Sequence, residues 1–444
     1  MTELTIQASL LEALESEQYD RVSKLLTTLH PSEIADLLES LPARSREILW
    51  GLIEPGQEGN VLSHAQDAVR TGLLELMQPE QVADATIGLA TDDAADILQD
   101  LPDEVIDSVL LSMDAQNRAR VSAILSYPED TAGGLMNIDV VSVRADVPLD
   151  VVCRYLRQLG KLPEHTDSLM VVDRQSQYMG TLPLSSVLTM KPDVTVGEIM
   201  QTGMAILATT PDHEVARIFA QRDLISAAVV DEQDKLLGRI TVDDVVDVIQ
   251  DSAEQAVMNM AGLGEDDMFA PVLFSARRRA IWLAINLLTA FLASWVIGRF
   301  ENTIEQLVAL AVLMPIVASM GGNAGIQTLT IAVRGLALGQ LSKANAPSLL
   351  LKEFAVGALN GVIWACVVAL IAVIWFGKIA LGIVIGVAMI VNLLTAAVAG
   401  AVIPMLLKKA GVDPAIASGV LLTAVTDVVG FMTFLGLATI FLMP

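Results

Sequence analysis

Leu421-Leu-Thr-Ala-Val-Thr-Asp-Val-Val-Gly430 sets a single carboxylate, Asp427, inside an apolar run that extends from 415 to 442. A helix needs roughly 20 residues to cross a hydrocarbon layer about 30 Å thick, so this run reads as a membrane span. Four more runs of comparable length precede it, at about 280 to 298, 305 to 333, 350 to 376 and 380 to 407. With five spans, Arg277, Arg278, Arg279, Arg334, Lys343, Lys352, Lys408 and Lys409 fall on one side of the membrane and only Arg299 and Lys378 on the other. Cytoplasmic loops carry the Lys/Arg excess, so the expected topology has a cytoplasmic N-terminal region and an outside C-terminus.

A carboxylate near the bilayer centre costs about 2.5 to 3.5 kcal/mol on insertion scales and therefore faces a bundle interior or water. Thr423 and Ala424 lie one helical turn before Asp427 and Gly430 and Phe431 one turn after, so that face is mostly small or polar and suits a narrow aqueous path. The alternative is a hydrogen bond that Asp427 accepts from Asn or Thr on a neighbouring helix. The second span contains Pro315 and then Met320-Gly-Gly-Asn-Ala-Gly-Ile-Gln327. The adjacent Gly321 and Gly322 weaken the helix and free carbonyls that are tolerated only toward a cavity or a protein partner. Gly322 and Asn323 are therefore candidates for the same path, against the alternative of close helix packing by small residues. No Lys follows these glycines and no strand precedes them, which removes a phosphate-cradling loop. Asn286, Asn360, Asn392 and Thr395 read as interhelical hydrogen-bonding residues rather than ion ligands.

Composition separates the rest of the chain. The 444 residues hold 27 Lys+Arg and 52 Asp+Glu, a net charge of −25 that excludes a general nucleic-acid partner and favours a cationic one. Residues 271 to 444 contain ten Lys+Arg and five Asp+Glu, which leaves 17 and 47 for the front part. An acidic, soluble front thus precedes a nearly uncharged membrane portion. Cys153 and Cys366 lie in different halves and the four His are scattered, so neither a disulfide framework nor a zinc site is expected. Met1 to Glu17 lacks a basic n-region and an apolar h-region, so no secretory signal is expected.

One carboxylate per chain is a thin ion site, but a two-fold axis presents it twice. Mg²⁺ keeps several of its waters when bound, so a sparse set of carboxylate and carbonyl oxygens suits it. A path without Cys or His disfavours Zn²⁺ and Cu, whereas Mn²⁺, Co²⁺ and Ni²⁺ remain compatible with oxygen ligands.

In the front part, residues 1 to about 130 are helical by period. Glu33-Ile-Ala-Asp-Leu-Leu-Glu-Ser-Leu-Pro42 and Asp93-Ala-Ala-Asp-Ile-Leu-Gln-Asp-Leu-Pro102 are weak repeats, each followed by another amphipathic segment, as in a small helical solenoid. Their acids, including Asp92, Asp93, Asp96 and Asp100, read as a solvated face. From about Gly134 to Ile249 short β-rich runs alternate with helices, and Ser168–Asp173 with Met179–Leu182 is duplicated by Ile225–Asp231 with Leu237–Thr241. These residues resemble a tandem pair of CBS modules. In such modules a Gly-x-x-Thr/Ser-x-x-Asp ending binds the ribose of adenine nucleotides. The second copy has it as Gly238-Arg-Ile-Thr-Val-Asp-Asp244, making Thr241 and Asp244 the candidates for ATP, while the first copy, Gly180-Thr-Leu-Pro-Leu-Ser-Ser186, lacks the acid. Beyond it, Asp244, Asp247, Asp251 and Glu254 fall on one helical stripe and Val245, Ile249, Ala253, Ala256 and Met260 on its neighbour. The acids repel across a symmetric dimer unless cations bridge them, within a Debye length of about 8 Å. A solvated face on a linker helix is the alternative.

The order of an acidic helical domain, a CBS pair, a linker helix and five spans resembles the MgtE family of magnesium channels over essentially the whole chain. Tyr127-Pro-Glu-Asp-Thr-Ala-Gly-Gly-Leu-Met136, Ile240-Thr-Val-Asp-Asp244, Gly321-Gly-Asn-Ala-Gly325, Gly411-Val-Asp-Pro414 and Thr426-Asp-Val-Val-Gly430 are each similar to family signatures. The resemblance implies a multidomain protein: an α-helical N-terminal solenoid over 1–132, an α/β tandem CBS pair over 133–250, a linker or plug helix over 251–276 and a five-helix all-α transmembrane domain over 277–444. It implies a homodimer in a cell inner membrane that takes up Mg²⁺ along the dimer axis and serves magnesium homeostasis. Asp427 holds the hydrated ion in that scheme, with Asn323, Gly322 and Thr423 beside it. Cytoplasmic Mg²⁺ closes the channel by bridging Asp244, Asp247 and Asp223 of the CBS region, Asp251 and Glu254 of the linker, Asp96 of the N-terminal domain and Asp413 at the cytoplasmic mouth. Gln250, Ser252 and Gln255 interrupt the acidic run after the second module, which implies weaker Mg²⁺ gating or gating through fewer ions. Two other readings stay open: a transporter for another divalent cation such as Co²⁺ or Mn²⁺, and a nucleotide-sensing membrane signalling protein that moves no ion. An enzyme is not expected, because no nucleophile with an adjacent base and no metal-ligand cluster is evident.

Overall fold

The computed structural model describes residues 10, 13, 14, 16, 18–261, 263, 272–337, 340–342 and 344–443. Gly262, Gly264 and Pro271 of the linker, the flanking base Lys343 and the side chains of Ala256 and Met260 lie outside the described residues. The chain forms two compact units, one through Ala253 and one from Glu254.

The first unit begins with nine helices among the described residues, from α1 (Tyr19–Leu26) to α9 (Ala115–Ile124). Proline sets several of their starts, where its missing N–H costs nothing. In α2 (Pro31–Ser40), Pro31 occupies the first turn, the His30 ring accepts from the Ser32 amide and Glu33 accepts from the His30 amide at 2.7 Å. The repeat read in the sequence corresponds to α2 with α3 (Ala43–Trp50) and to α7 (Thr91–Gln99) with α8 (Asp103–Ser112), each pair broken at Leu-Pro. Leu37, Leu38, Leu49, Leu62, Leu73, Ile97, Leu98 and Ile124 fill the core between the helices.

Two three-stranded sheets follow, and they are copies. In the first, β1 (Ser142–Arg144) runs parallel to β2 (Ser168–Val172), and β2 pairs antiparallel with β3 (Tyr178–Pro183). β4 (Ala205–Leu207), β5 (Ser226–Val230) and β6 (Leu236–Thr241) repeat that order, and the pairing slips at the same point in both copies, at Val171/Val172 and Val229/Val230. The strand–turn–strand elements were legible; β1 and β4 were not, because three residues carry too little alternation to register as strands. Helices α10 (Leu149–Leu159), α11 (Leu184–Thr189), α12 (Val196–Ile199) and α13 (Asp212–Arg222) complete the two modules. The Tyr127–Met136 segment docks on the second: Ala132 and Gly133 donate to the carbonyls of Thr210 and Ala208, and a Cβ on Gly133 would lie 2.5 Å from the Tyr127 ring.

The linker helix α14 (Val242–Ala261) starts directly at the end of β6, nine residues before the expected 251. Its start is held by Asp244, whose Oδ2 accepts from the Thr241 amide at 3.1 Å and hydroxyl at 3.0 Å. Its apolar stripe also differs from the one read. Val245 and Val248 are buried in the core of the second module, whereas Ile249 is 48% exposed.

In the second unit five helices have the length and apolar character of membrane spans: α15 (Val272–Gly298), α17 (Ala309–Ala337), α18 (Ala346–Phe376), α19 (Ile379–Lys409) and α20 (Pro414–Leu442). A separate short helix, α16 (Glu301–Gln306), replaces the start expected at 305, because Leu307 leaves helical geometry at φ −138°, ψ 80°. Its hydroxyl-bearing Thr303 meets Thr439 of α20 at 2.9 Å. α19 is the most enclosed span; Leu381, Ile385, Ala388, Met389 and Leu393 sit in the core with Leu313, Val317, Phe434 and Leu435. Small residues allow this packing: a Cβ on Gly400 of α19 would lie 2.7 Å from the Gly325 carbonyl of α17.

Candidate ion path and acidic cluster

Two of the spans carry the residues read as the path. On α20, Ser418, Leu422, Thr426, Gly430 and Phe434 recur every four residues and are buried, so this stripe faces the bundle. Thr423 and Asp427 recur at the same spacing one residue further on and form the adjacent stripe. Thr423 is exposed and Asp427 half-buried. Among the described residues no hydrogen bond or ion pair reaches the Asp427 carboxylate. The alternative of a hydrogen bond to a neighbouring Asn or Thr is therefore not what this protomer makes.

On α17 the pattern is complementary. Gly321 and Gly325 are buried and packed on α19 and α20: a Cβ on Gly321 would lie 2.3 Å from Asn392 Nδ2, and one on Gly325 2.9 Å from the Leu422 side chain. Asn323 stands about 200° round the helix from Gly321 and is exposed, with Ser319 Oγ at 3.4 Å as its partner. Gly322 has open space where a Cβ would be. The glycines thus divide: Gly321 and Gly325 serve close packing, and Gly322 and Asn323 lie on the outward face.

The regulatory candidates distribute unevenly. Asp96 of α7 and Asp244 of α14 come together with three acids that the sequence reading placed elsewhere or passed over: Asp92, Asp93 and Asp243. The expectation of a solvated face on α7 is overturned, since Asp92 is 6% exposed and accepts from Asn137 Nδ2 at 3.2 Å. The cause is non-local: the segment that carries Asn137 pairs with Arg239 of β6 and brings the start of α14 against α7. Burial first, then Asp244 and Asp93, hold the Asp92 carboxyl well above the usual carboxylate range. Burial also pushes Asp96 up to about 8, against the pull of Arg70, and Asp244 up to about 7, with Asp243 adding to it. Partial desolvation raises Asp247 at the rim, against His64 and with Asp243. Arg70 partly balances this charge but is already engaged by Asp67 at 2.8 Å and by Asp100.

Other candidates stand apart. Asp223 is exposed in a left-handed conformation (φ 51°, ψ 46°) as the C-cap of α13. Asp251 and Glu254 are exposed on α14. Asp413 caps α20, its Oδ1 accepting from the Ala415 amide at 2.8 Å, and its Oδ2 accepts from Asn259 of α14 at 3.2 Å. Thr241 and Asp244, the nucleotide candidates, are bonded to each other. Among the described residues no group of three or more His, Cys, Asp or Glu is arranged to enclose a metal ion. The cluster is a gathering of acids whose charge Arg70 balances only in part, rather than a finished coordination shell.

Residues 314–437 match the MgtE divalent cation transporter family model, residues 29–130 the MgtE intracellular N domain and residues 196–251 the CBS domain. The chain is 32% identical to the magnesium transporter MgtE of Thermus thermophilus over 446 aligned positions, 98% of each chain. It is 28% identical to the magnesium transporter MgtE of Bacillus subtilis over 420 positions, 94% of this chain and 93% of that one. A crystal structure of the cytosolic domain of the Mg²⁺ channel MgtE in complex with ATP aligns with a TM-score of 0.51 at 32% identity, covering 55% of this chain and 99% of that one.

Proposed function

The chain belongs to the MgtE family of divalent-cation transporters, and on that premise we propose that it is a homodimeric Mg²⁺ channel of a cell inner membrane, closed by cytoplasmic Mg²⁺. The observation that carries the transport reading is Asp427: a carboxylate inside a span, on a polar stripe with Thr423, that no group among the described residues bonds or pairs with. Such a group needs a cation or water to be tolerated at that depth. Two copies about a two-fold axis, with Asn323 and Gly322 nearby on α17, hold an ion that retains its own waters, which suits Mg²⁺.

The flanking bases support the orientation. Arg277, Arg278 and Arg279 at the start of α15, Arg334 near the end of α17, Lys352 near the start of α18 and Lys408 and Lys409 at the end of α19 all belong to one side, and Lys408 reaches the Leu336 carbonyl at 3.4 Å. That side is cytoplasmic. Sensing rests on Asp96, Asp244 and Asp247 with Asp92, Asp93 and Asp243, and passes along α14 through Asn259 to Asp413 at the head of α20. Asp251 and Glu254 add cation-binding charge to that helix, and Asp223 contributes from the rim of the second module. In this reading the division of labour is 1–132 for sensing, 133–250 for the CBS pair, 251–276 for the plug and 277–444 for the pore. The ATP-bound cytosolic domain of the related channel supports an adenine nucleotide at Thr241 and Asp244 as a modulator.

Mg²⁺ uptake into liposomes containing the purified protein tests the pore assignment. Asp427→Ala is expected to abolish uptake of Mg²⁺, with Co²⁺ and Mn²⁺ as comparison ions. Uptake by the variant at the wild-type rate contradicts the assignment, and absence of flux in the wild type under every gradient favours the signalling reading.

A further inference from the structure

The one polar side chain of the membrane unit that is both fully enclosed and left with an unpaired atom is, among the described residues, Asn392 of α19. It is 0% exposed. Its Nδ2 donates to the Val317 carbonyl of α17 at 2.8 Å, while its Oδ1 is buried without a hydrogen-bond partner. The amide orientation follows from that contact, because the flipped form would set two oxygens against each other.

Two glycines on two different helices make room for this amide. A Cβ on Gly321 of α17 would lie 2.3 Å from Nδ2 and 2.9 Å from Cγ; a Cβ on Gly430 of α20 would lie 2.8 Å from Nδ2 and 3.0 Å from Cγ. Neither distance is available to a real side chain, so each helix approaches Asn392 as closely as a bare backbone permits. Gly321 is two residues before Asn323, and Gly430 is three residues after Asp427. One side chain from the central helix therefore gauges the position of both helices that carry the proposed path.

The Val317 bond by itself is what glue would make, but the bare glycine faces on both sides of the amide are more than glue requires. Interhelical adhesion needs one bond between two helices, and an apolar side chain of similar size would fill the space without orphaning an acceptor. A planar amide held between two flat glycine surfaces instead fixes spacing and rotation, since neither helix can turn without bringing a side chain or its own backbone into it. We propose that Asn392 is a positioning residue for ion permeation, a wedge between Gly321 and Gly430 that sets the separation and rotation of α17 and α20 and so the alignment of Asn323 with Asp427. The inference rests on the reading of Asp427 and Asn323 as the ion path. Asn392 does not touch the ion.

The test uses the full-length protein in liposomes and reads the external Mg²⁺ concentration for half-maximal uptake and the Mg²⁺-to-Co²⁺ flux ratio. Asn392→Leu removes the amide, and Gly430→Ala keeps it but pushes it aside. Each is expected to raise the half-maximal concentration about threefold to twentyfold, the range spanned by interhelical hydrogen bonds, and to change the flux ratio. In an Asn392→Ala background, where space has opened, Gly430→Ala is expected to add no further shift. Wild-type values of both readouts in Asn392→Leu and Gly430→Ala, with only thermal stability altered, reduce Asn392 to packing and overturn the proposal. Independent, additive effects of the two sites overturn it as well. If Asn392→Leu fails to insert, Gly430→Ala decides the matter, because there the amide is intact. Asp427→Asn serves as the reference: wild-type flux in that variant removes the path and the inference with it, whereas impaired flux there beside wild-type behaviour of the other variants defeats the positioning role alone.

Discussion

Asp96 and Asp244 are carboxylates whose ionisation the fold opposes, with burial the larger cause and neighbouring acids the second. A carboxyl whose folded-state pKa is raised binds more protons folded than unfolded, so its contribution to stability declines as pH climbs from the unfolded value near 4 toward the folded one. For Asp96 that window ends at about 8, and for Asp244 at about 7. The apparent unfolding midpoint of the protein in chelator is therefore expected to fall between pH 5 and pH 8, and millimolar Mg²⁺ is expected to flatten the dependence. Asp96→Asn should remove part of the slope. A midpoint independent of pH in chelator contradicts the buried, only partly balanced state assigned to these acids. Asp427 was legible as a lone carboxylate within a span because its surroundings are apolar in sequence. The burial of Asp92 and Asp93 was not, since amphipathic helices normally send their acids to solvent; Asp36, the first-repeat counterpart of Asp96, is exposed. Only what α7 packs against distinguishes the two copies.

The spans are specified as elements by long apolar runs, but their mutual fit is set by small residues whose partners are remote in sequence. Gly400 of α19 faces the Gly325 carbonyl at 2.7 Å and Thr328 Cβ at 3.0 Å from its would-be Cβ, whereas the Cβ site of Gly361 on α18 meets nothing closer than Ile390 Cα at 3.4 Å. Overpacking of a well-filled contact costs about 1 to 3 kcal/mol. Gly400→Ala is expected to lower the melting midpoint of the detergent-solubilised protein, with Gly361→Ala close to wild type; equal midpoints for the two variants contradict this packing. Periodicity could not separate these glycines, nor could it find β1 and β4, which are strands because the parallel partner β2 or β5 is there to receive them. The stripe of α14 was legible from Asp244 onward, whereas the boundary expected at 251 falls inside the helix. The Thr241–Asp244 bonds that end β6 and begin the helix look in sequence like part of a nucleotide motif.

At the level of the whole molecule, domain order was readable because each part has its own local signature: acidic amphipathic helices, duplicated strand pairs, then apolar spans. The gathering of Asp92, Asp93 and Asp243 with Asp96 and Asp244 was not, because α7, the segment around Asn137 and α14 meet only in the folded first unit. Taking a two-state gate from mostly open to mostly closed requires a differential binding free energy of about 5.5 kcal/mol, which several weak sites supply together more readily than one. Gln250, Ser252 and Gln255 interrupt the acidic stripe of α14, so the gate is expected to respond through few ions and over a broad concentration range. The direct measurement is Mg²⁺ flux through the reconstituted protein as Mg²⁺ on the cytoplasmic side is raised from chelated levels through the millimolar range. The expected result is a graded fall in flux that Asp244→Asn displaces to higher Mg²⁺; flux that stays constant across the whole range contradicts closure by cytoplasmic Mg²⁺.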